Sequence, residues 1–311
     1  MTSELPDQDA IDIGRDSAER LLHPPKSKDA PLPKKEPGLL LAVGDSWFNY
    51  WPRGDVLDVL EDQLGHQIER NAVAGRTLEQ MLYKSPPASS GRALADGEAI
   101  TWLTRRIARL SSEDGSRLQA VLVSAGGNDV AGDREVLKRL INQIDMETTL
   151  NTEGVEELVN GKLRRLYVTM LSCINDVCRR KFKHVPPILL HGYAHPIPDG
   201  RGILGNPWLG PALRDLGYDS KSGARVMALL IDALNNMQKA MVADLGSEFA
   251  NVRHVDVRVA FNVNDPYKLF WQNELHPTIP VGFGAVARCF IQTLSKPPGS
   301  PAVAPAPGAS A

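Results

Sequence analysis

Cysteine is scarce in this chain of 311 residues: only Cys173, Cys178 and Cys289 occur. An odd and sparse set makes no disulfide framework, so free thiols in a reducing compartment are expected. Cys173 and Cys178 are five apart rather than in a C-x-x-C, which gives no zinc or redox pair. Neither charge is in surplus. The 35 Lys and Arg stand against 37 Asp and Glu, a net −2, which argues against nucleic acid as a partner. No apolar run is long enough to span a bilayer. The first thirty residues are polar and hold no apolar secretory segment, so a cytoplasmic location is expected, with non-classical export open. No G-x-x-x-x-G-K-[ST] occurs and no G-x-G-x-x-G follows the first apolar run, which sets aside P-loop and dinucleotide enzymes. The G-x-S-x-G elbow of the α/β-hydrolases is missing too.

What is present is a normal core fraction, 42% hydrophobic residues, enough for one large domain. Residues 1–37 read as a polar, proline-rich tail and 296–311 as a disordered Pro/Ala-rich tail, leaving 38–295 as the folded domain. Short apolar runs at 38–44, 67–74, 118–125, 186–194 and 252–260 have the near-continuous character of strands buried on both faces. Helical periodicity fills 55–64, 98–110, 133–145, 155–183, 221–245 and 280–294. The alternation predicts an α/β fold: three layers, α/β/α, around a mostly parallel sheet of about five strands. Residues 195–218, "HPIPDGRGILGNPWLGPALRDLGY", break the pattern and predict a long loop, a lid or pocket wall.

Sites in such sheets lie beyond the carboxyl ends of the strands. The first strand ends in Gly44-Asp45-Ser46, the second runs into Gly75, and the third into Gly126-Gly127-Asn128-Asp129. A serine after a strand either caps the next helix or presents a nucleophile. Backbone N–H groups at Ser46 and Gly75 with the Asn128 amide would make an oxyanion hole. His276, in a loop before the last helix, is the candidate base. Asp45 and Asp129 are read as loop-holding carboxylates. His191 and His195, four apart, stand beside Pro196, which spoils helical ligand spacing, so no metal is expected.

These four blocks, in this order across residues 38–294, resemble the SGNH (GDSL-type) hydrolase family. The resemblance implies a flavodoxin-like fold and a metal-free, cofactor-free esterase, lipase or lysophospholipase working through an acyl-enzyme. It implies Ser46 as nucleophile, His276 as base, and Ser46, Gly75 and Asn128 as the oxyanion hole. One position departs from the family: three residues before His276, where an aspartate is usual, stands Asn273. Three readings stay open. Asn273 orients the ring without supplying charge, Glu274 acts as the alternative acid, or Asp256 reaches in from the fifth strand. Trp47, Phe48 and Trp208 are candidate pocket walls for a small-molecule or lipid ester. The rival functions are an acyltransferase, a carbohydrate acetylesterase and a non-catalytic binding module.

Overall fold

The computed structural model describes residues 37–51, 54–85, 94–182, 185–202, 207–261 and 266–296. Both predicted tails fall almost entirely outside the described residues.

Five strands form one parallel sheet: β1 (Leu39–Gly44), β2 (Gln67–Ala72), β3 (Leu118–Ser124), β4 (Ile188–His191) and β5 (Val252–Val255). Their spatial order is β2-β1-β3-β4-β5. β1 is buried along its whole length, as its unbroken Leu/Ala/Val run requires. β2 is an edge strand, and its sequence QIERNA is correspondingly polar and only partly covered.

The helices that matter for the site are α1 (Val56–Leu64), α2 (Leu78–Leu82), α3 (Glu98–Arg109), α4 (Gly127–Ala131), α5 (Arg134–Leu140), α6 (Arg164–Lys181), α7 (Leu209–Asp215), α8 (Ser220–Asp244) and α9 (Val281–Leu294). α1 packs against α9, and α3 packs against α6, which also touches α8. This is what right-handed crossovers demand. The chain steps outward from β1 to β2 through α1, then back past β1 to β3 through α3, so the two helices lie on opposite faces. The predicted three-layer α/β/α architecture is the one observed. β1 is where the direction of winding reverses, and the crevice between the ends of β1 and β3 is the topological switch point.

Three sequence expectations need correction. The helix expected over 133–145 stops at Leu140, because Ile141 turns extended and bridges to Leu150. The fifth strand ends at Val255, where the Asp256 carboxylate accepts the Arg258 N–H and starts a single 3₁₀ turn. The expected loop 195–218 contains α7; residues 203–206 of it lie outside the described residues. The three cysteines are free thiols. Among the described residues no helix is long and apolar enough to cross a membrane.

Candidate active site

At the carboxyl edge of the sheet, β1 runs straight into a tight turn, closed by the Phe48 N–H on the Asp45 carbonyl at 3.2 Å. Asp45 is 1% exposed and ties three strand ends together. Its Oδ1 accepts the Ser124 hydroxyl from the end of β3 at 2.7 Å and the Trp47 N–H at 3.0 Å. Its Oδ2 accepts the Tyr193 hydroxyl from beyond β4. Burial pushes the Asp45 carboxyl above its usual range, and these donors act against that push. The turn thereby leaves Ser46 half-buried at the crevice with its neighbours locked.

The Ser46 Oγ lies 2.7 Å from His276 Nε2. On the other side of the ring, His276 Nδ1 lies 3.1 Å from Asn273 Oδ1. The same Oδ1 accepts the backbone N–H groups of Leu275 and His276, each at 2.9 Å. Asn273 Nδ2 donates to the Tyr50 hydroxyl at 3.0 Å. Two backbone donors on one atom establish which end of the amide is oxygen, since an NH₂ group cannot accept them. His276 is 4% exposed, and burial pushes its ring down to about 4, with no carboxylate among the described residues beside it to oppose this. It is therefore neutral at pH 7, able to accept a proton at Nε2 while Nδ1–H stays on Asn273.

Glu274, weighed as the alternative acid, is occupied elsewhere. Its carboxylate is 1% exposed and accepts four backbone N–H groups: Gly200 at 3.1 Å, Trp208 at 2.5 Å, Leu209 at 2.9 Å and Gly210 at 3.0 Å. It caps the N-terminus of α7 and holds that helix to the loop of the candidate base. Asp256 binds Arg258 instead of reaching the site, at 2.6 and 2.9 Å.

Of the expected oxyanion donors, Asn128 lines the crevice with Ser46. Its Nδ2 donates to the Arg76 carbonyl at 3.1 Å, which uses one of its two hydrogens. Gly126, two residues before it, has φ +94, and a Cβ there would meet the Tyr167 hydroxyl at 2.1 Å. Asp129 Oδ2 accepts the Leu78 N–H at 2.8 Å, joining α4 to the first turn of α2; burial raises this carboxyl to about 6. Gly75 has φ +79 in the turn that follows β2, but it lines a neighbouring groove rather than the crevice.

The crevice is a small cavity of about 40 Å³, walled by Trp47, Gly127, Ala131, Tyr193, Ala194 and Leu275, among others. Of the expected aromatic walls, only Trp47 lines it. Phe48 is fully buried against His191 and Phe290. Trp208 is 44% exposed and donates its indole N–H to the Ala131 carbonyl at 3.1 Å. Ala131, Tyr193, Ala194, Pro196, Ile231 and Leu275 were not legible as site residues, since they come from α4, the loop after β4, α8 and the loop of His276 and carry no motif. His191 and His195 do not converge: His191 is buried, and His195 pairs with Asp232 at 2.8 Å. Among the described residues, no group of three or more His, Cys, Asp or Glu side chains could hold a metal.

A protein from Slackia heliotrinireducens assigned to the SGNH hydrolases superposes over 83% of this chain and 100% of its own, with TM-score 0.50 and 14% identity. The chain has an SGNH-hydrolase fold. A variant of the acetyl-xylooligosaccharide esterase Axe2 from a Geobacillus species matches 84% of this chain and 95% of its own, at TM-score 0.42 and 17% identity. A protein from Agrobacterium tumefaciens described as an arylesterase matches 82% and 97%, at TM-score 0.41 and 19% identity. No protein-family model and no curated protein matches the sequence.

Proposed function

We propose that this protein is a serine-dependent carboxylic ester hydrolase of the SGNH type. The observation that carries the reading is the relay Ser46 Oγ, His276 Nε2, His276 Nδ1, Asn273 Oδ1, with steps of 2.7 and 3.1 Å at the switch point of the sheet. His276 takes the proton from Ser46 as Oγ bonds to the acyl carbon, and the carbonyl electron pair moves onto oxygen. Ser46 N–H and the free Nδ2 hydrogen of Asn128, both of which line the crevice, receive that oxyanion, each donor contributing roughly 10²–10³ in rate. His276 then protonates the leaving alcohol. Water attacks the acyl-enzyme by the same route, with His276 again the base.

Asn273 keeps the tautomer and ring orientation that an aspartate would keep, and supplies none of its charge. The small, mostly apolar crevice favours a short acyl group over a lipid tail. A second reading, a ligand-binding module without turnover, rests on the same neutral residue at position 273.

Chromogenic esters from acetyl to palmitoyl, with wild type and Ser46→Ala in parallel, test the reading. Hydrolysis strongest for the shortest chains and abolished in Ser46→Ala is the expected result. Hydrolysis that survives Ser46→Ala would remove the serine from the mechanism. No hydrolysis at all would favour the binding module. Adding a competing alcohol and identifying the product separates hydrolase from transferase.

A further inference from the structure

Beside the neutral Asn273 stands a second group that addresses the same imidazole. The ring of Tyr50 lies over the ring of His276, with centroids 4.6 Å apart and planes inclined by 30°. Tyr50 is held from behind. Its N–H donates to the buried Asp55 carboxylate at 3.2 Å, and its ring meets Phe283 at 5.6 Å. Its hydroxyl accepts the Asn273 N–H. One side chain therefore touches both the candidate base and the residue that orients it.

The electron-rich face of a phenol ring attracts a cation within about 6 Å of its centroid, and more strongly where water is excluded. His276 becomes such a cation only while it holds the Ser46 proton. We propose that Tyr50 is a positioning residue that compensates for the missing carboxylate. Its ring face stabilises the His276 imidazolium, and its hydroxyl fixes the plane of the Asn273 amide against Nδ1–H. The inference deepens the hydrolase reading and rests on it for the catalytic part alone. The contact between the two rings is there whatever the serine does.

The charge balance is simple. The proton leaves Ser46 Oγ for His276 Nε2 as the bond from Oγ to the acyl carbon forms. The positive charge then spreads over a ring that has Asn273 Oδ1 at its Nδ1 edge and the Tyr50 ring against its face. An aspartate at position 273 would take over most of this work, so the contribution of Tyr50 should shrink when one is introduced.

The test is Tyr50→Phe, followed by mono-, di- and trifluorophenylalanine at the same position. Fluorination keeps the ring shape and progressively removes the negative character of its face. His276 is followed by NMR titration and kcat by hydrolysis of a short chromogenic ester. The expected result is a stepwise fall of the His276 pKa with each fluorine and a parallel fall of kcat, about tenfold across the series, with KM little changed. The slope should flatten in an Asn273→Asp background. A His276 pKa that does not move along the series would overturn the proposal, because a ring that merely fills space is indifferent to fluorination. A pKa that falls in a protein without esterase turnover would support the ring contact and refute the hydrolase reading instead.

Discussion

The group facing His276 Nδ1 is an amide where a carboxylate would be expected to serve better, and Asn273→Asp measures what the difference is worth. The site accepts the exchange locally. A carboxylate at position 273 keeps the Leu275 and His276 N–H groups as donors to one oxygen. The Tyr50 hydroxyl, which now accepts from Nδ2, can turn and donate to the other. The new charge would stand about 3.1 Å from Nδ1. An opposite charge at that range favours the protonated ring by about 1–3 pH units. The imidazole, held down at about 4 by burial, would rise accordingly. At about 1.4 kcal/mol per unit, the imidazolium gains roughly 1.4–4 kcal/mol, which is about 10- to 1000-fold if it is fully expressed in the transition state. The assay is kcat and kcat/KM for a short chromogenic ester between pH 3.5 and 9. Since the neutral ring is the active base, wild type should stay active until the pH falls to about 4. Asn273→Asp should be faster at pH 8 and should lose activity at a higher pH than wild type, by about 1–3 units. An unchanged kcat with an unmoved acid limb would show that residue 273 does not act on the ring.

Glu274→Gln separates a capping carboxylate from a catalytic acid. Glutamine offers one acceptor oxygen where four N–H groups now share two, so stability should fall by about 2–4 kcal/mol in urea titration, with kcat reduced less than tenfold. A loss of kcat of a thousandfold in a protein of unchanged stability would restore Glu274 as the acid. Gly126→Ala forces a Cβ toward the Tyr167 hydroxyl, itself bonded to the Ala125 carbonyl, at a left-handed φ. Thermal unfolding should report a loss of about 2 kcal/mol or more, and kcat should fall through displacement of Asn128. Unaltered kinetics would separate that turn from the site.

How much of this was legible beforehand depended on how far apart the cooperating residues lie. Strands are short local runs, so β1 and β3 could be read from LLLAV and LQAVLV alone. The candidate residues Ser46, Asn128 and His276, which the fold brings to one crevice, stood out as small or polar residues just after those runs or before the last helix, whereas Gly75, read in the same way, lines a neighbouring groove. The helix stop at Leu140 was not readable, because it answers to the Ile141–Leu150 bridge. The substrate walls were misjudged for a similar reason. Trp47 and Phe48 are adjacent in sequence, but the turn after β1 sends one ring to the crevice and the other into the core.

By itself, the sequence determined the alternation of buried strands with amphipathic helices, and hence the parallel sheet and the edge where a site belongs. It also carried the absence of an aspartate at position 273. Only the tertiary structure decided what that absence means. A carboxylate's role depends on the donors that surround it, and those come from distant segments. Glu274 is consumed by α7 and Gly200, and Asp256 by Arg258, so the imidazole is left with the Asn273 oxygen and the face of Tyr50. Tyr50 and His276 are 226 positions apart, and no local pattern records that their rings meet.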